Sequence, residues 1–148
     1  MSIDIFTIGF TQTTAESFFD AVNKEDINTL IDVRLNNSSQ LSGFAKKKDL
    51  QFFLKELCGV EYVHAPDLAP TKDILDRYKK QKGSWSDYED SFMELMYKRN
   101  IEKQFKPHFF DNGCMLCSEK LPHHCHRSLV AKYLQDNWDI QINVKHLT

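Results

Sequence analysis

The sequence predicts an α/β protein. Two observations carry that prediction: short β-rich apolar runs recur along the 148 residues, and apolar residues recur at helical spacing between them. Each kind of run is bounded by turn or capping chemistry, so the elements can be taken in order.

Residues 3–8 form the first β-rich run and stop at Gly9. Thr13 and Glu16 then stand at capping-box spacing, and Ala15, Phe18, Phe19 and Val22 follow a helical period. The turn between them, residues 9–12, is a candidate binding loop. Residues 28–33 predict a second strand running into Asp32-Val33-Arg34, where alternation sends Asp32 and Arg34 to the same face. Residues 49–57 predict a helix with Leu50, Phe53, Leu54 and Leu57 on one face, closed by Gly59 as a C-cap. Residues 60–63 predict a third strand, with His64 at its end. A polar helix is expected over 71–82. A longer one starts from the Ser86/Glu89 capping-box spacing and runs through Phe105, with Tyr88, Phe92, Leu95 and Met96 as its core stripe. Asp111-Asn112-Gly113 predicts a turn, 114–117 a strand, and 140–144 a last strand. Between those two strands, Leu129, Val130, Tyr133 and Leu134 predict a helix starting just after Arg127. Strands alternating with helices favour one domain built on a mostly parallel five-stranded sheet with helices on both faces, a Rossmann-like three-layer arrangement.

Composition narrows the function classes. Hydrophobic residues make up 41% and charged residues 27%, which suits a packed globular core and excludes a disordered chain. The net charge of -2 gives no global attraction to nucleic acid or membranes. The lysine runs at 46–48 and 79–82 read as solvated helix faces. No apolar run approaches the roughly 20 residues of a membrane span and no signal-peptide pattern opens the chain, so a cytoplasmic protein with no membrane partner is expected. Cysteines in that compartment are reduced, which turns attention from disulfides to chemistry or metal.

The densest chemistry lies at residues 114–128, which hold three of the four cysteines and three of the six histidines. Three readings compete. Cys117, Cys125 and nearby histidines are zinc-type ligands, but strand alternation sends Cys114 and Cys117 to opposite faces and weakens the Cys-x-x-Cys spacing. Alternatively, Cys125-His126-Arg127 opens a helix whose N–H groups attract an anion. Arg127 then adds a fork for phosphate or carboxylate, Cys125 gains thiolate character, and Glu119 serves as acid or base. In the third reading the cysteines are small buried hydrophobes and the histidines loop surface.

The chain resembles the uncharacterised bacterial and archaeal family catalogued as domain of unknown function 488. The resemblance rests on Thr7-Ile8-Gly9, Asp32-Val33-Arg34 and Tyr62-Val63-His64. Most specifically it rests on Leu116-Cys117-Ser118-Glu119 followed by Cys125-His126-Arg127. It implies an α/β fold, implies no reaction, and marks Gly9, Asp32, Arg34, Cys117, Glu119, Cys125, His126 and Arg127 as site positions. Leu30-Ile31-Asp32-Val33-Arg34 is also faintly similar to rhodanese-like domains. Those place an arginine five residues beyond the catalytic cysteine, whereas Arg127 is two beyond Cys125.

The expectation is an enzyme for a nucleotide-like or other phosphorylated, anionic small molecule, its site at the C-terminal edge of the sheet. Asp32, Glu119 and Cys125 are the catalytic candidates. Gly9, Arg34, His64, Cys117, His126 and Arg127 are the substrate-binding ones, and neither metal nor cofactor is included. The alternatives are a zinc-stabilised binding module, with nucleic acid as partner, and sulfur transfer through Cys125.

Overall fold

The computed structural model describes residues 1–36, 43–118 and 124–147. Five strands form one sheet: β1 (Ser2–Gly9), β2 (Thr29–Asp32), β3 (Glu61–His64), β4 (Gly113–Cys117) and β5 (Gln141–His146). All pairings are parallel, in the order β3-β2-β4-β1-β5. β4, placed fourth by the sequence, sits at the centre between β1 and β2, and all five of its residues are buried. A parallel strand covered on both sides reads as a continuous apolar run, as Cys-Met-Leu-Cys does.

The helices divide between the two faces. On one face, α1 (Ala15–Asn23) and α2 (Lys47–Phe53) bury Phe18, Phe19, Val22 and Leu50 against Phe6, Ile8, Leu30, Cys114 and Leu116. On the other lie α3 (Lys72–Lys79), α4 (Trp85–Arg99) and the short α5 (Ile101–Gln104) and α6 (Pro107–Phe110), with α7 (His126–Asn137). These pack Ile74, Tyr88, Phe92, Ile101, Phe110 and Leu134 against Ile3, Ile5, Ile31, Met115 and Cys117. Alternation along β4 therefore puts Cys114 and Cys117 in different halves of the core, as expected. The three-layer arrangement holds.

Local boundaries moved where side chains competed for a cap. Thr14, not Thr13, caps α1 by accepting from the Ser17 amide at 3.1 Å, and Ser84, not Ser86, caps α4 through the Asp87 amide at 3.1 Å. Both caps leave a hydroxyl acceptor on a donor of the first turn. Thr71 caps α3 in the same way. α2 continues as a π-helical turn over Leu54–Cys58 and stops at Gly59, whose φ of 65° is left-handed. Leu57 is exposed rather than part of the buried face. The helix expected to reach Phe105 breaks at Asn100. That residue takes φ 52° and closes α4 with its amide on the Met96 and Tyr97 carbonyls, a role asparagine fills better than most residues.

Gly113 opens β4 because there is no room for a side chain. A Cβ there would stand 2.9 Å from Ile31 Cδ1 and 3.0 Å from the Phe110 carbonyl oxygen. Gly113→Ala is expected to cost about 1–3 kcal/mol by overpacking. Urea denaturation reads this directly, and an unchanged midpoint would show that the contact yields freely.

Candidate functional site

The reversal of strand order creates the site. From β1 the chain leaves through α1 toward β2, and from β4 it leaves through α7 toward β5, with the two helices on opposite faces. Ligand crevices in open parallel sheets form above such a point, at the carboxyl ends of the strands. Here the loop after β1 is tied to the end of β4: the Thr11 amide donates to the Ser118 carbonyl at 3.0 Å, and the Thr11 hydroxyl donates to the same oxygen.

One side of the crevice is built on Asp32. Its carboxylate accepts from Arg34 Nε at 2.8 Å, Arg34 Nη2 at 2.8 Å, the Arg34 amide at 3.1 Å and the Tyr62 hydroxyl at 2.5 Å. The same-face reading of Asp32 and Arg34 becomes a buried bidentate pair. Two further contacts hold the arginine: His64 Nε2 meets its backbone carbonyl at 2.9 Å, and the Phe10 ring lies 5.2 Å below the guanidinium. Its Nη1 is different. Among the described residues this buried nitrogen has no hydrogen-bond partner. A guanidinium desolvated with one donor unused is costly, and an anionic ligand would satisfy it.

The opposite side is a sulfur–imidazole cluster. Cys117 ends β4, Cys125 is the N-cap of α7 and His126 is its first residue, so a strand end and a helix start bring them together. One donor atom from each lies within 4.8 Å of the other two. His126 Nε2 is 2.6 Å from the Val33 carbonyl oxygen. A carbonyl only accepts, so Nε2 carries the proton, and the lone pair of Nδ1 faces Cys117 Sγ at 3.5 Å. Burial pushes the His126 pKa down to about 4 against a smaller upward pull from the Val33 bond, and the nearby Arg127 charge lowers it further. The ring is neutral at pH 7. The structure joins the Cys117 and Cys125 sulfurs at bonding distance, and their Cα atoms are 7.2 Å apart. Disulfides usually span about 4.4–6.8 Å between Cα atoms, so the two backbones stand wider apart than a disulfide usually holds them. Cys114 lies across the sheet, where burial pushes its thiol well above the usual range.

Between the two sides lies a cleft of about 200 Å³. Arg34, Ser118, Cys117, Cys125 and His126 line its base, and Tyr78, Lys79, Trp85, Tyr88 and His124 form a wall. Trp85 stacks on Tyr88 with centroids 4.9 Å apart and planes at 18°. Tyr78 meets the Trp85 edge at 5.6 Å, and the His124 ring lies 4.9 Å from the indole.

Arg34, Cys117, Cys125 and His126 therefore share one cleft. Asp32 does not line it; the carboxylate is fully buried behind Arg34 and positions it. His64 stands behind Arg34 as well, and Gly9 pairs with Cys117 in the sheet. Arg127 is among the largest fully buried side chains of the described residues, donating from Nε to Thr7 Oγ1 at 3.2 Å, away from the cleft lining. Glu119 lies outside the described residues. The wall was missed by sequence reading. Tyr88 reads as core stripe and Lys79 as a solvated face; Tyr88 is buried in the core and Lys79 is exposed, and both also line the cleft. The available signal was an indole at the first position of a helix, next to its serine cap.

The profile of the family described as "Domain of unknown function DUF488" matches residues 14–134 of the chain. Neither a curated protein nor a solved structure matches it in the same comparisons.

Proposed function

The chain belongs to the DUF488 family, and from that starting point, which carries no activity, we propose an enzyme acting on a nucleotide-like small molecule bound in the cleft above β4. The carrying observation is the pairing of two recognition elements that such a ligand needs together. One is the Nη1 of buried Arg34, unpartnered among the described residues, with Lys79 on the neighbouring wall, for a phosphate. The other is the aromatic wall around Trp85 for a planar base. The Cys117–Cys125–His126 cluster is the reactive end. Glu119, one residue beyond cleft-lining Ser118, is our choice for acid–base transfer.

Stacking on an aromatic side chain contributes about 1–3 kcal/mol per base. Trp85→Ala is therefore expected to raise the Kd of a nucleoside monophosphate by roughly 5–150-fold, with ribose 5-phosphate affinity unchanged. Isothermal titration with AMP, GMP, CMP and UMP, and with ribose 5-phosphate and inorganic phosphate as controls, checks this. If no monophosphate binds more tightly than ribose 5-phosphate, the base-stacking role is wrong. If none of these probes binds at all, the whole reading is.

A further inference from the structure

We propose that Cys117, Cys125 and His126 bind one zinc ion whose remaining coordination position opens into the cleft. Two thiolates and an imidazole are the donor types zinc selects. They come from two rigid elements: Cys117 from the end of a fully buried strand, and Cys125 and His126 from the start of a twelve-residue helix.

Three details support a metal over a chance cluster. The first is the tautomer. His126 donates Nε2–H to the Val33 carbonyl, which leaves Nδ1 as the free lone pair inside the cluster. A backbone carbonyl on the far nitrogen is the usual way a ligating histidine is oriented. The second is spacing. In a tetrahedral zinc site with Zn–S about 2.3 Å and Zn–N about 2.0–2.1 Å, neighbouring N and S donors stand about 3.5 Å apart. Nδ1 and Cys117 Sγ are 3.5 Å apart, while the two sulfurs, at bonding distance here, would part to about 3.8 Å on a shared zinc. The third is charge. All three side chains are buried, and two buried thiolates with one dication sum to zero, whereas either thiolate alone would be costly there. Cys114 is excluded as a ligand by its place in the other half of the core, so the Cys-x-x-Cys spacing is incidental.

Three protein ligands and an open position distinguish a reactive zinc from a closed structural one, and three are the ligands found among the described residues. All three ligands line the cleft that Arg34 and Trp85 enter. The inference thus deepens the reading of the cleft as an active site by naming the reagent at its reactive end, while its geometry stands without any substrate.

The test uses the full chain purified without a metal-chelating tag. Native mass spectrometry and elemental analysis are expected to find one zinc per chain. Two thiols should be shielded from a disulfide-exchange reagent until a chelator is added. Cobalt replacement should show tetrahedral visible bands with thiolate charge transfer. Cys125→Ser and His126→Gln, each checked for folding by circular dichroism, are expected to lose the zinc, and Cys114→Ala to keep it. Zinc-free protein that takes up no added zinc would overturn the proposal. So would an intact mass lower by two hydrogens with Cys117 and Cys125 linked, or full zinc retention in Cys125→Ser. Zinc retained without binding of AMP or the other monophosphates overturns only the substrate reading. Monophosphate binding without zinc overturns only this one.

Discussion

Arg34→Ala is expected to destabilise the protein by about 3–5 kcal/mol, because it strands the Asp32 carboxylate in the core. That carboxylate is fully buried, and two of its hydrogen bonds come from the guanidinium. The Tyr62 hydroxyl and the Arg34 amide remain, but neither carries the compensating charge. At roughly 2–4 °C per kcal/mol for a chain of this size, the loss amounts to about 6–20 °C in Tm. Arg34→Lys keeps the charge without the fork and is expected to fall between. The Asp32→Leu/Arg34→Met double variant should recover much of the loss, since neither charge is left alone. If the double variant is no more stable than Arg34→Ala, the damage comes from lost packing against Phe10 and not from the stranded charge.

Arg127→Ala is the second large effect, and its direction separates two roles for the residue. As an anion-binding arginine it would weaken ligand affinity with little change in stability. As the structure places it, the side chain is fully buried at the base of α7, and its Nε donates to Thr7 Oγ1, which also meets His146 Nδ1 at 2.6 Å. Truncation removes a large side chain from a closed space and withdraws a donor from a buried hydroxyl, which together cost about 2–5 kcal/mol. Calorimetry and denaturant unfolding are expected to show that loss. Near-wild-type stability with a raised Kd for AMP would return Arg127 to the binding role.

These two arginines show how much of the site could be read from the chain. Asp32 and Arg34 were legible as a same-face pair, because a strand's period of two is local geometry. Their fates were not. Asp32 turned inward to hold Arg34, and Arg34 lines the cleft, with the Tyr62 hydroxyl from β3 on the carboxylate and the Phe10 ring from the loop after β1 under the guanidinium. Arg127 looked like its neighbours Cys125 and His126 in the sequence. A helix turns about 100° per residue, however, so consecutive positions face different surroundings. His126 reaches the Val33 carbonyl and Arg127 reaches Thr7 on β1.

The chain by itself determined the order along it of the five strands and the main helices between them, and the separation of Cys114 from Cys117. Both follow from local periodicity and capping. Only the tertiary structure decided the strand order, which puts β4 between β1 and β2 and so brings residues 34, 117 and 126 into one cleft. It alone decided that His126 joins the two sulfurs, and that the first turn of α4 supplies an aromatic wall. Those choices depend on how helices pack across opposite faces of the sheet, and no short window of sequence carries that information.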